Sequence, residues 1–246
     1  MSARAQRRGM VLPSLVALMA FAVLIAIGAW QLERKAWKET LIATLTQRLA
    51  AAPVDFPSAK NWGELTPENS EFRRVKARLE FLDVRDVFVY ASGSALRDDI
   101  KSPGYFIFAP ARLAEGRLIV INRGFVPATQ DYPGSARPTE IIGYLRWPEQ
   151  RQWFMSDHDP ASDTWIVRDH LSMAKEKRWG EVAPFYIEQE SPLPSVGLPR
   201  PAPLKPSLSN NHLQYALTWY GLAAVLAVVF TLWARSRRRA PFLAGG

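Results

Sequence analysis

Two apolar runs stand near the ends of the chain, and between them apolar and polar residues alternate at short periods. The first run, Met10 to Ala29, holds no charged residue. About twenty helical residues span roughly 30 Å, the thickness of a bilayer's hydrocarbon core. Pro13 is placed in the first helical turn, where a missing N–H is tolerated. Leu213 to Trp233 forms a second run of the same kind. Trp30 and Trp37 follow the first run, and Tyr215, Trp219 and Tyr220 open the second. Aromatics so placed favour the headgroup level. The pattern predicts transmembrane helices over 10–32 and 212–233. A cleaved signal peptide competes for the first run, but its apolar core would be only about 7–15 residues long.

Beyond the first run, Trp37, Leu41, Leu45 and Leu49 recur at spacing four, one helical stripe that continues the first span and ends before Pro53. Residues 53–71, rich in Pro, Asn and Ser, read as a loop. From Phe72 the period changes to two: Val75, Ala77, Leu79 and Phe81 face one way, Lys76, Arg78 and Glu80 the other. The runs "DVFVYAS", "YFIFAPARL", "RLIVINRGFVP", "EIIGYLRWP", "TWIVRD" and "FYIEQE" read as further strands, and "DHLSMAKEKRWG" as a short helix stopped at Gly180. Strands joined by short turns are usually antiparallel neighbours. The expected fold class is an α+β membrane protein. Two transmembrane helices flank a mostly antiparallel β-sheet or flattened barrel over 33–190, with one or two helices. Residues 191–211 form a proline-rich tether, extended and semi-rigid.

Charge orients this arrangement. The formal net charge is +8, but Arg4, Arg7 and Arg8 lie in the tail 1–9, and Arg235, Arg237, Arg238 and Arg239 in the tail 234–246. The segment between the spans is close to neutral, so the basic balance is no nucleic-acid surface. Two crossings put both tails on one side, and their arginines make that side the cytoplasm. Arg34, Lys35 and Lys38 dilute the signal at the first span; the "ARSRRR" tail restores it. The central domain then lies on the outer side. The chain has no cysteine, which excludes disulfides, thiolate metal sites and cysteine nucleophiles.

Candidate chemistry is sparse. No G-x-S-x-G is present, and no histidine sits in a hydrolytic arrangement. The densest set of potential ligands, over 155–173, offers Asp157, His158, Asp159, Asp163, Asp169 and His170, with Met155 and Met173 at its edges. Such donors suit copper, zinc or manganese. The spacing fits no motif with a stated mechanism, and a solvated turn is the stronger reading. In "INRGFVP", Gly124 marks a bulge or a close backbone approach, and Arg123 suits either a carboxylate or propionate partner or a structural ion pair. His212 opens the second span. Ser209, Asn210 or Asn211 can cap that helix. His212, Tyr215 and Trp219 share a helix face, on which an imidazole can ligate haem iron. An interfacial histidine with no ligand is the competing role, and the residues alone favour it.

Three stretches resemble a known family: "GAWQLERKAWK" after the first span, "INRGFVP" followed by "GYLRWPEQ", and "NNHLQYALTWYGLA" at the second span. In this order they resemble the surfeit-locus family of cytochrome c oxidase assembly factors, in its bacterial form. The short tail before Met10 fits a bacterial member. The resemblance implies a two-span protein of the bacterial inner membrane, both termini cytoplasmic and the main domain periplasmic. It implies an assembly chaperone, not an enzyme, that binds haem a transiently and aids its insertion into the oxidase catalytic subunit, with haem a synthase as a further partner. It also implies His212 as the iron ligand. Tyr215 and Trp219 would then pack the macrocycle, and Arg34 or Arg123 would meet the propionates. The alternatives are copper delivery through the 155–173 cluster and a scaffold for oxidase subunits that binds no ligand.

Overall fold

The computed structural model describes residues 3–94, 96–132, 134, 137–150, 158–159, 163–195, 197–205 and 210–239. Four α-helices and nine strands occur among them: α1 Ala3–Ala50, β1 Val54–Asp55, α2 Pro67–Ser70, β2 Arg74–Phe81, β3 Val87–Ala91, β4 Gly104–Leu113, β5 Leu118–Pro127, β6 Glu140–Arg146, β7 His158–Asp159, β8 Thr164–Trp165, α3 His170–Glu176, β9 Tyr186–Ser191 and α4 His212–Arg239. The chain divides into two compact units, 1–42 with 209–246, and 43–208.

The first unit is a pair of helices, both long and apolar enough to cross a membrane. Large apolar side chains stand outward on each, such as Leu12 at 70% exposure and Leu217 at 64%. Such contiguous apolar surface is foreign to a water-facing helix and suits a bilayer. The less exposed positions of α1 recur as Ala17, Phe21, Leu24, Gly28 and Gln31, and those of α4 as His212, Ala216, Trp219, Ala223, Leu226 and Phe230. Spacings of three and four are those of a helix–helix seam. Pro13 proves to lie inside α1, because the helix already begins at Ala3. Its ring therefore removes the hydrogen bond to the Gly9 carbonyl.

The second unit is a barrel with added strands. Its strands run in the order β1-β2-β6-β9-β5-β4-β3-β8-β7, and an extra β2–β4 pairing closes β2, β6, β9, β5 and β4 into a ring. Of its pairings, β1–β2, β3–β8 and β5–β9 are parallel and the others antiparallel. The alternation in β2 buries Val75, Ala77 and Leu79 inside the ring with Ile119, Ile121, Ile141, Leu145 and Ile187, and Trp62 joins this core. β4 and β5 are apolar nearly throughout because both faces are covered. Their outer face carries a second core, in which Phe106, Phe108 and Val120 pack with Val87, Val89, Trp165 and Met173.

Three local expectations change. The loop at 53–71 contains β1, a 3-10 turn over Ala59–Glu64 and α2, which Thr66 caps. The run "TWIVRD" yields only the two-residue β8. The proline-rich segment is no free tether: Phe125 and Arg200 exchange backbone hydrogen bonds of 3.0 and 2.8 Å, and Leu204 is buried with Leu49 and Tyr144. Gly124 serves both anticipated purposes. Its φ is +122°, and a Cβ there would run into the Arg200 carbonyl. The stripe on α1 also divides: Leu45 and Leu49 belong to the barrel unit and pack within it, whereas Trp37 and Leu41 are exposed.

Candidate functional site

α4 starts at His212, and Tyr215 N donates to the Asn211 carbonyl at 3.2 Å. Ser209, one of the suggested caps, lies outside the described residues. The Asn210 side-chain oxygen is buried with no hydrogen-bond partner among them.

At about 100° per residue, Ala216 and Tyr220 lie to one side of His212, and Tyr215 and Trp219 to the other. The first side faces α1. Ala216 and Ala223 are 1% exposed, and a Cβ on Gly28 would come within 2.6 Å of the Tyr220 ring. Only glycine lets that ring lie so close to the α1 backbone. The second side is more open: Tyr215 is 54% exposed and Trp219 partly buried. Of the two aromatics, Tyr215 is accessible and Trp219 is half-buried at the edge of the seam.

Three residues beyond Gly28, on the same face of α1, stands Gln31. Its Oε1 lies 2.7 Å from His212 Nδ1. An amide oxygen only accepts, so Nδ1 carries the proton and donates. Nε2 is left with its lone pair, the state in which neutral imidazole binds a metal. Among the described residues the ring makes no other hydrogen bond. Arg34, one turn past Gln31, is exposed, and its guanidinium lies over the Trp37 ring at 4.0 Å. The structure thus joins two stretches that lie 181 residues apart in the chain, "GAWQLER" and "NNHLQY". Nothing in the sequence singles out Gln31. Its position within the first stretch was visible, but its partner was not, because helix register is not written in either helix alone.

The other expected residues lie in the barrel unit. Arg123 is 2% exposed. Its Nη1 donates to Tyr132 Oη at 2.9 Å and to Asp86 at 3.3 Å, and its guanidinium lies 5.2 Å from the Phe81 ring centre. Tyr132 donates onward to Asp86 at 3.0 Å, which also accepts from Arg137. This is the structural ion pair weighed against a propionate partner.

Of the 155–173 set, Met155 and Asp157 lie outside the described residues, as do the side chains of His158 and Asp159. Asp163 pairs with Lys177, and Asp169 caps α3 by accepting from Leu171 N and Ser172 N. His170 is fully buried, with Nε2 3.0 Å from the Ala183 carbonyl. Burial pushes its imidazole down to about 4, against the opposing effect of that hydrogen bond. No group of three ligating side chains occurs among the described residues.

Comparison with known proteins bears on the same stretches. The profile of the SURF1 family matches residues 18–224, which include both halves of the Gln31–His212 pair. Surfeit locus protein 1 of Rattus norvegicus is 30% identical over 237 residues, 89% of this chain and 74% of the rat protein. The human protein of that name is 30% identical over 221 residues, 83% of this chain and 71% of its own. A SURF1-like protein of Rickettsia bellii is 26% identical over 234 residues, 90% of both chains.

Proposed function

The chain belongs to the SURF1 family, and from that membership and the geometry at His212 we propose that it is an assembly factor for the haem-copper cytochrome c oxidase. In this reading it binds haem a and passes it to the oxidase catalytic subunit. It takes the haem as cargo from its synthesis machinery and catalyses no reaction itself. The two helices cross the bacterial inner membrane with both tails in the cytoplasm, and the barrel unit faces the periplasm.

One observation carries the reading: the 2.7 Å contact that sets Nε2 of His212 as an available donor at the end of an apolar helix pair. The residues suit the cargo. A single neutral imidazole ligates haem iron from one side. Tyr215 and the uncovered part of Trp219 offer aromatic surface beside it, and Arg34 supplies a cation for a propionate. One protein ligand on an open flank holds haem loosely enough to release it. In the same proposal Arg123 maintains the barrel unit, being held by Asp86 and Tyr132.

The test is co-expression with the enzymes of haem a synthesis, purification of the full chain in mild detergent, and reduced-minus-oxidised spectra with metal analysis. A haem a band present in the parent and lost in His212→Ala supports the proposal. Stoichiometric copper without haem would replace it with copper delivery. Oxidase subunits co-purifying with neither cargo would leave a scaffold.

A further inference from the structure

We propose that Gln31 is the positioning residue of this site: its amide oxygen holds the His212 Nδ1–H and so directs Nε2 to the haem iron. This rests on the haem-binding reading above, but its first consequence can be measured without haem.

In water the Nε2–H tautomer of neutral histidine is favoured, and that form has its lone pair on Nδ1, close to the backbone. A bulky planar ligand reaches the outer nitrogen more readily. An acceptor at Nδ1 reverses the preference and fixes the ring's rotation. Gln31 supplies that acceptor at 2.7 Å, a short separation for N–H···O. It is the single hydrogen-bond partner of the ring among the described residues, so the tautomer depends on it.

The helix pair explains why the contact forms. Gly28 precedes Gln31 by three residues, and its missing Cβ accommodates the Tyr220 ring. Ala216, one turn after His212, is also small and buried. Together they bring the seam close where the amide must reach across. An apolar residue at position 31 would pack the same seam but leave Nδ1–H with no partner.

A merely structural clasp would respond alike to leucine and to glutamate, whereas a positioning acceptor is lost with leucine and kept with glutamate, and this separates the two roles. The experiment uses the full chain in micelles with 15N-labelled histidine. The three histidines of the chain are assigned by the loss of one signal in His212→Ala. The His212 nitrogens of the parent and of Gln31→Glu should report Nδ1–H, and those of Gln31→Leu the Nε2–H form. The same proteins are then titrated with haem a. Gln31→Leu should weaken binding by about 10–100-fold. Gln31→Glu should retain affinity and lower the haem midpoint potential, because an anionic acceptor makes the imidazole a stronger donor. Circular dichroism reports whether each variant keeps its helices.

An unchanged tautomer in helical Gln31→Leu overturns the proposal. So does loss of affinity in both variants alike, which would mark a clasp that tolerates only glutamine. If the tautomer shifts as expected but the parent takes up no haem a, the haem-binding reading fails, and the iron-directing role of Gln31 falls with it.

Discussion

Acidification should loosen the barrel unit through one residue, His170. The ring is fully buried beside Tyr186, at a centroid distance of 5.4 Å, and its Nδ1 has no hydrogen-bond partner among the described residues. With Nε2 donating to the Ala183 carbonyl, Nδ1 is the nitrogen that would have to accept a proton, in a buried place where the charge of Asp169 only partly offsets the lost hydration. The native group therefore titrates at about 4, against the ordinary 6.5 of an unfolded chain. The sign follows from proton counting. Between these values the unfolded chain binds a proton that the native state refuses, so stability rises with pH. The contribution is complete above 6.5 and gone below about 4. At about 1.4 kcal/mol per unit it totals roughly 3 kcal/mol, of which roughly 2 kcal/mol is lost between pH 7 and pH 5. Urea unfolding of the full chain in detergent, followed by tryptophan fluorescence at the two pH values, measures the loss. His170→Phe supplies the control. It costs about 1–3 kcal/mol at neutral pH by leaving the Ala183 carbonyl unpaired. It also removes the titrating group, while every other group titrates alike in both proteins. The gap between parent and variant should therefore shrink by about 2 kcal/mol at pH 5. Equal pH slopes in the two proteins would refute the reasoning.

Arg146→Met should lower stability by about 3–5 kcal/mol, because Glu188, 2% exposed, would lose its 2.9 Å partner and remain a buried charge. Thermal unfolding of the parent and variant checks this. Leu204→Ala should cost about 2–5 kcal/mol and expose the 191–205 segment to limited proteolysis, since Leu204 packs with Leu49 and Tyr144. Gly124→Ala should do the same by a different route. It forces a φ of +122° on a side chain that meets the Arg200 carbonyl, at a cost of about 1–3 kcal/mol or more. Gly28→Ala should displace the Tyr220 ring and lengthen the Gln31–His212 contact, weakening haem a binding on the order of tenfold in a spectroscopic titration.

Much of this molecule is written in local patterns. The two apolar helices follow from length and lack of charge, and the alternation over 74–81 gives β2 its buried face. Long-range pairings are less legible. The parallel β5–β9 contact joins Ile121 to Ile187 across 66 residues of chain, and no periodicity within either strand announces it. The same holds for the docked proline segment, whose composition indicates an extended chain but whose Leu204 finds a pocket made by α1 and β6. At the candidate site, the face shared by His212, Tyr215 and Trp219 could be read from spacing within one helix. That Tyr215 stays open and Trp219 is half-buried, while Ala216 is fully buried, depends on where the second helix lies. Gln31 was hidden for that reason.

The proposed haem site requires that the His212 imidazole touch iron. Resonance Raman spectra of ferrous haem a bound to the purified full chain test it most directly. The expected result is an iron–imidazole stretching band that disappears in His212→Ala and returns when free imidazole is added. Haem a bound by His212→Ala with the same band as the parent would contradict it.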